Sequence, residues 1–394
     1  MKKNITSSTI FIATFIICAA VVFSYCESTS AKRKRTYANT EHRDLTKKEI
    51  LERYQNEKKK ILRGPKEIQK MMKKIINDIK KNNRKYRVAV TEQMKYHLSQ
   101  VTGAKIPANF EQKAKVQFSD GNSLWDDYRD RYSNHFRRNR RYWKDEDRRK
   151  YRPADDRVPV TKPHDSDIYK NPSPTLNRFS WKDRGMVTSI KNQRNCGGCW
   201  AFTTAAVFES NLLIRKNLRI DISEQFLLDC ATGKNGLDAG SCYGGWYGGA
   251  FDYLQGGNAV MEYYAPYKAK NSVCLPRKKV KVKVAAWGYV RKNGSIPTVK
   301  EMKVALCKYG PIAISIKATP AFQAYVGGIF DEHTSVRNQK DVNHAMTIVG
   351  WDDSKRAYLV KNSWGVRWGE KGYAWVEYGC NNIGYGAAWL VVNR

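Results

Sequence analysis

Three short stretches of this chain hold side chains that could break a covalent bond. The first is Gln193-Arg194-Asn195-Cys196-Gly197-Gly198-Cys199-Trp200-Ala201-Phe202. Its two glycines permit a sharp turn into an apolar segment beginning at Cys199. A thiol at a helix N-terminus feels the positive end of the helix dipole, which lowers its pKa and favours the nucleophilic thiolate. The second stretch is Val342-Asn343-His344-Ala345-Met346. Of six histidines, His42, His97 and His135 fall in a polar front half, His164 in a linker and His333 in a loop-like stretch. His344 alone enters a core-like run, where it either serves a cysteine as base or is structural. The third stretch is Lys361-Asn362-Ser363-Trp364-Gly365, followed by Trp368-Gly369. An asparagine oxygen can accept a hydrogen bond from one imidazole nitrogen and fix the ring, and a tryptophan beside it can exclude water. The plainer reading is a turn with core tryptophans. Cys196-x-x-Cys199 also fits a redox pair or half a zinc site. Zinc needs a second ligand pair at matching spacing, and a redox motif needs a preceding strand in a βαβ unit; neither is apparent.

These groups need a scaffold, and the sequence outlines one. From Cys199 to about Asn217, apolar residues at Ala201, Ala205, Phe208 and Leu212 mark a helix. Residues 311–316, 344–351, 357–360 and 372–377 read as β-strands. Helices first and strands later predict an α+β unit over 174–394. Residues 27–173 are different: polar, cysteine-free and rich in charge runs such as Lys32-Arg33-Lys34-Arg35. Helical spacing runs over 46–62 and 65–83, where Ile68, Met71, Met72, Ile75, Ile76 and Ile79 form one face. Residues 128–152 are dense in Arg, Tyr and Trp; no nucleic-acid motif frames them, and a solvated helical or disordered stretch is the simpler reading. Residues 152–174 hold five prolines and read as a linker.

The chain has 394 residues, 71 Lys+Arg and 37 Asp+Glu, a formal net charge of +34. With 41% hydrophobic and 12% aromatic residues it is neither wholly disordered, collagenous nor a multi-span membrane protein. Residues 1–26 carry +2, 27–173 carry +18 and 174–394 carry +14. Such a balance suits acidic surfaces or polyanions, although general solubility is the simpler account. Lys2 and Lys3 precede an apolar run over 10–25, the pattern of a signal peptide over 1–26, with an uncleaved anchor as the alternative. That route leads to an oxidising compartment. Cys18 and Cys26 lie in or beside this leader, and the other seven cysteines all lie beyond residue 190. Seven is odd, so one thiol stays unpaired and is suspect as reactive.

Together the three stretches resemble the papain family of cysteine proteases, whose pattern places His and Asn roughly 130–150 residues after the nucleophile. Here His344 follows Cys199 by 145 residues and Asn362 by 163, and Gly198 stands where the pattern prefers Ser or Ala. Residues 179–188, Ser223-Glu224-Gln225, Asp229-Cys230 and Cys242-Tyr243-Gly244-Gly245 look like further family segments. The resemblance implies a two-lobed papain-like fold over 174–394, with a helical lobe carrying the nucleophile, a β-barrel-like lobe carrying His and Asn, and a cleft between.

It further implies a thioester mechanism with Cys199 as nucleophile, His344 as base in a thiolate–imidazolium pair, Asn362 as its orienter, Trp364 as shield and Gln193 at the oxyanion hole. The disulfides implied are Cys196–Cys242 and Cys230–Cys274, which leaves Cys307 and Cys380 to pair. Gly245, with Gly244 beside it, would pair with the substrate backbone. Trp246, Tyr247, Ser315, Ala345 and Ala388 would wall the pocket for the second residue before the scissile bond (P2), giving an apolar or aromatic preference. No histidine lies between Cys230 and Cys242, so an occluding loop is absent and an endopeptidase is expected. Residues 114–120 and 128–132 resemble the end of a cathepsin L-type inhibitory propeptide, making 27–173 a mostly helical propeptide cleaved between about 172 and 179. Expected partners are peptide substrates, the propeptide as inhibitor and acidic surfaces or polyanions; no cofactor, metal or nucleic acid is expected, the protein should be a monomer, and its place is the secretory route, lysosomal or extracellular. Asn293-Gly294-Ser295 is a glycosylation sequon. The alternative is a catalytically silent binding protein on the same fold.

Overall fold

The computed structural model describes residues 62–138 and 172–392 except 235, 335 and 337, with the side chains of 129–138 also outside the description. The leader, the 46–61 part of the first helical stretch, most of 128–152 and most of the linker lie outside the described residues. The front segment contributes α1 (Pro65–Lys81), β1 (Tyr86–Val88), a 3-10 turn (Glu92–Lys95), the short α2 (Leu98–Val101) and the long α3 (Phe110–Arg138). Then follow β2 (Arg178–Ser180), α4 (Cys199–Lys216), α5 (Glu224–Cys230), β3 (Gly240–Ser241), β4 (Gly244–Gly245), α6 (Tyr247–Gln255), β5 (Val284–Tyr289), α7 (Val299–Tyr309), β6 (Ile312–Ile316), α8 (Pro320–Ala324), β7 (Tyr325–Phe330), β8 (His344–Asp352), β9 (Ala357–Lys361), β10 (Tyr373–Glu377) and β11 (Tyr385–Val392).

The predicted helix after Cys199 and the four predicted strands are present within one or two residues. Helix α4 is buried from Cys199 through Leu213, so a one-sided apolar pattern is lost and burial on all faces takes its place. It ends where Asn217 adopts φ 49° and closes the last carbonyls through its N–H. Helix α5 starts at Ser223, whose hydroxyl accepts from Phe226 N–H at 2.9 Å. Strands β6 and β8 to β11 are buried along their length and pair in the order β7-β10-β9-β8-β6-β11-β5, with β1 added beyond β7 and β2 beside β8. The apolar core has two main clusters, one joining α4 to α6 with β5 and β11, the other joining the rest of the sheet with α7, α8 and the front segment.

The front segment packs onto both. Strand β1 extends the sheet antiparallel to β7, and Tyr86 meets Phe330 at 4.8 Å. Helix α3 lies on β5 along a single stripe. Phe110 packs against Trp246, Tyr289 and Tyr385; Gln117 Nε2 donates to Trp287 O at 2.7 Å; Trp125 meets Tyr309 edge-on and lies under the Arg215 guanidinium. A Cβ at Gly121 would stand 2.1 Å from Trp287 O, so only glycine lets helix and strand approach this closely.

Cys196–Cys242 and Cys230–Cys274 are bridged, with Cα–Cα separations of 4.6 and 4.9 Å. The expected Cys307–Cys380 bridge is absent: both thiols are free. Cys307 lies near the end of α7 in the field of Arg184 and Lys303, whereas Cys380 is buried beside Glu332 and donates its S–H to Glu332 O at 3.3 Å. Bridging requires facing Cβ atoms, and these two thiols have separate surroundings.

Candidate active site

Gly197 and Gly198 set the nucleophile's position. A Cβ on Gly197 would fall 2.7 Å from Cys242 O and 2.8 Å from Thr102 O. At Gly198 a methyl would sit 3.3 Å from Cys196 Sγ and Leu228 Cδ2, a tight fit. The turn delivers Cys199 to the first position of α4, fully buried, where its Sγ accepts the N–H of Ala345 at 3.4 Å. Ala345 follows His344 on β8, so the strand bearing the imidazole abuts the helix bearing the thiol.

His344 Nε2 lies 2.8 Å from Asn362 Oδ1. The same oxygen accepts the backbone N–H of Ser363 at 2.8 Å, which fixes the amide's orientation, since only oxygen can accept from a backbone donor. Nε2 must then carry the proton. Nδ1, buried and without a hydrogen-bond partner, has its lone pair open for the thiol proton. Trp364 stacks on the imidazole at 4.6 Å and is itself buried, keeping water from the His–Asn bond.

Gln193 is fully buried. Its Oε1 accepts from Ser363 Oγ at 2.5 Å, and its Nε2 donates to Cys196 O at 2.8 Å and to Val101 O at 3.1 Å. Trp364 Nε1 donates to the same Val101 carbonyl at 2.9 Å. The front segment thus places a backbone carbonyl on the donors of the site and continues across it. Gly245 N–H donates to Gly103 O at 2.8 Å, Lys105 N–H to Gly245 O at 3.0 Å and Ala104 N–H to Asn343 O at 2.8 Å. Ala104 and Gly245 pair parallel. Residues 101–105 therefore fill the cleft. The stretch read as resembling the end of a propeptide, 114–120, lies within α3 on β5, beyond the crossing.

Covering changes the protonation of the couple. Burial pushes the Cys199 thiol up to about 12, against backbone donors at Ala345 and Gly103 that favour the thiolate. Burial likewise draws His344 down to about 4, opposed by the bond to Asn362. Under the front segment burial favours the neutral form of each partner. Neither ionised partner has water to stabilise it.

Of the residues assigned to the P2 pocket, Ser315, Ala345, Ala388 and Tyr247 are all fully buried. The Tyr247 ring stacks on Trp246 at 4.5 Å, and its hydroxyl donates to Gly386 O at 2.6 Å and lies 3.4 Å from Ser315 Oγ. A Cβ on Gly386 would lie 2.7 Å from that hydroxyl.

Sequence reading missed the charges behind the site. Lys191 Nζ meets Glu209 at 3.1 Å and Glu224 at 2.7 Å, and Lys361 Nζ donates to Thr188 O at 3.0 Å. Burial lowers Lys361 to about 8, whereas the carboxylates around Lys191 hold it well above the ordinary lysine range despite its burial. The only signal was chemical type: Lys191 and Lys361 each precede a site residue closely in sequence.

A buried thiol heading a helix, an imidazole held by an asparagine on a facing strand, and a chain segment lying in the cleft between them define the covered form of a thiol protease. The match to the Papain family cysteine protease model over residues 175–390 fixes the family, and the chain belongs to it. It is 38% identical over 199 residues to chymomexicain of Jacaratia mexicana, covering 50% of this chain and 85% of that protein. Against cathepsin K of Mus musculus it is 33% identical over 233 residues, 57% of this chain and 68% of that one. The digestive procathepsin L2 proteinase of the Tenebrio molitor larval midgut superposes with a TM-score of 0.58 at 23% identity, over 93% of this chain and 99% of that one, a likeness of fold. Among the described residues no helix is long and apolar enough to cross a membrane, and no group of three His, Cys, Asp or Glu is placed to hold a metal.

Proposed function

We propose that the chain is a cysteine endopeptidase made as a zymogen on the secretory route, with residues 27–173 as its inhibitory propeptide. Once the cleft is open, Cys199 passes its proton to His344 Nδ1 and the thiolate attacks a peptide carbonyl. The oxyanion forms against Gln193 Nε2 and the Cys199 N–H. His344 returns the proton to the leaving amine, giving a thioester and a free N-terminus. Water then attacks the thioester, with His344 again taking and returning a proton, and releases the acid and the thiol. Asn362 holds the ring throughout.

The observation that carries this reading is the imidazole: Nε2 is committed to Asn362, and Nδ1 is left open on the strand that abuts the thiol's helix. The P2 residue should be apolar and small, since Tyr247 occupies the pocket floor. Its test is acid treatment of the full chain followed by assay on fluorogenic dipeptidyl substrates and titration with a thiol-directed epoxide, beside Cys199→Ala. Activity that appears as residues before about 174 are lost, and is absent from the variant, supports it. No activity after complete removal of that segment refutes it and favours the silent binding protein.

A further inference from the structure

Residues 262–283 form a face that peptide hydrolysis does not use. Lys268, Lys270, Arg277, Lys278, Lys279 and Lys281 are all exposed there, and among the described residues none has an acidic partner. The backbone fixes this display. Lys279 bridges to Val260, and Val280 N–H donates to Ala259 O at 2.8 Å. Val282 and Val284 are buried and Val280 is half-buried, whereas Lys279 and Lys281 are exposed. The Cys230–Cys274 bridge clamps the loop to α5. The one acid within 262–283, Glu262, turns its carboxylate to the backbone N–H of Tyr267, 2.6 Å away.

The same segment exposes apolar side chains. Tyr263 is 85% exposed, Leu275 48%, Tyr264 40% and Val273 39%. Like charges at fixed spacing repel one another, and exposed Leu and Tyr lose the benefit of burial. One partner offsets both costs: an anionic surface with an apolar layer beneath it. A soluble polyanion or nucleic acid would use the lysines and leave Leu275 and Val273 in water.

We propose that 262–283 docks on the surface of an anionic phospholipid bilayer, with the basic side chains among the headgroups and Tyr263, Tyr264 and Leu275 at the interface. The face is joined firmly to the cleft: Tyr267 Oη donates to Gln193 O at 2.7 Å, and its ring meets Phe202 at 4.8 Å. Docking therefore holds the cleft at the membrane. It does not depend on peptidase activity.

The test uses the full chain with Cys199→Ala, sedimented with vesicles of phosphatidylcholine alone or with about one-third phosphatidylserine. Binding should require phosphatidylserine and weaken with salt. Each lysine near an anionic surface strengthens binding about fivefold, so Lys278→Gln, Lys279→Gln and Lys281→Gln together should weaken it about a hundredfold. Lys268→Gln with Lys270→Gln should weaken it in proportion, and Lys292→Gln with Lys300→Gln, outside this segment, should not. Tyr263→Ser with Leu275→Ser should weaken vesicle binding and leave retention on heparin unchanged. Unaltered vesicle binding by the triple variant overturns the proposal. So does a triple variant that loses heparin or duplex DNA while the Tyr263/Leu275 pair has no effect on vesicles, which would make the face a polyanion site.

Discussion

Replacing Gly103 with alanine should uncover the nucleophile of the intact chain. A Cβ at this position would stand 1.9 Å from Gly197 O and 2.6 Å from Gly197 C. Both are backbone atoms of the turn that seats Cys199, so residues 101–105 must move instead. Moving them breaks the bonds joining Gly103 O to Gly245, Lys105 N–H to Gly245 and Ala104 N–H to Asn343. At about 0.5–1.5 kcal/mol net for each bond, the loss is about 1.5–4.5 kcal/mol, or roughly a ten- to thousandfold gain in the open population. Opening also restores water to Cys199, whose thiol burial holds up to about 12, and so raises the thiolate fraction. The assay is the rate of iodoacetamide alkylation of Cys199 in the unprocessed chain at neutral pH. Gly64→Ala is the control, because nothing lies within 4 Å of a Cβ there. Equal rates in wild type and Gly103→Ala, with both chains folded and unprocessed, would refute the assignment of 101–105 as the cover.

Acid should release the cover through His344 itself. Its pKa in the covered form is lowered from 6.5 to about 4, so the covered form binds fewer protons than the open form in that window, and stability of the cover present above pH 6.5 is lost as pH falls toward 4. Protease nicking of the front segment across this range, in Cys199→Ala, should show the transition, and His344→Gln should flatten it. Gln193→Ala should reduce kcat of the processed enzyme about 10²–10³-fold, read from initial rates with the active sites counted by epoxide titration. Tyr247→Ala should open the pocket and shift the P2 preference from Ala toward Leu by about tenfold or more, measured as the ratio of kcat/KM on paired substrates. Gly121→Leu should detach α3 from β5 and lower the melting temperature of the intact chain without altering the processed enzyme, because its Cβ meets Trp287 O at 2.1 Å.

The sequence by itself determined the catalytic half. Cys199, His344 and Asn362 carry chemistry that depends on residue type, and each sits in a local signal: a glycine turn before a helix, the start of a buried strand, a tryptophan-flanked turn. The bridges Cys196–Cys242 and Cys230–Cys274 followed from the family pattern that those signals invoked. Tertiary structure alone decided how the front segment covers the cleft. Its hold on the cleft is made by backbone atoms of Val101, Gly103, Ala104 and Lys105, and backbone bonding leaves little trace in side-chain pattern beyond a run of small residues. The stripe of α3 mixes Phe110, Ala114, Gln117, Gly121 and Trp125, so its period is hidden from a hydrophobicity reading. Cys307 and Cys380 were countable, but whether two thiols face one another is a matter of distance. The direction in which burial shifts Cys199 and His344 belongs to the same class: it is set by how much water the fold leaves around the two groups, a quantity that only packing fixes.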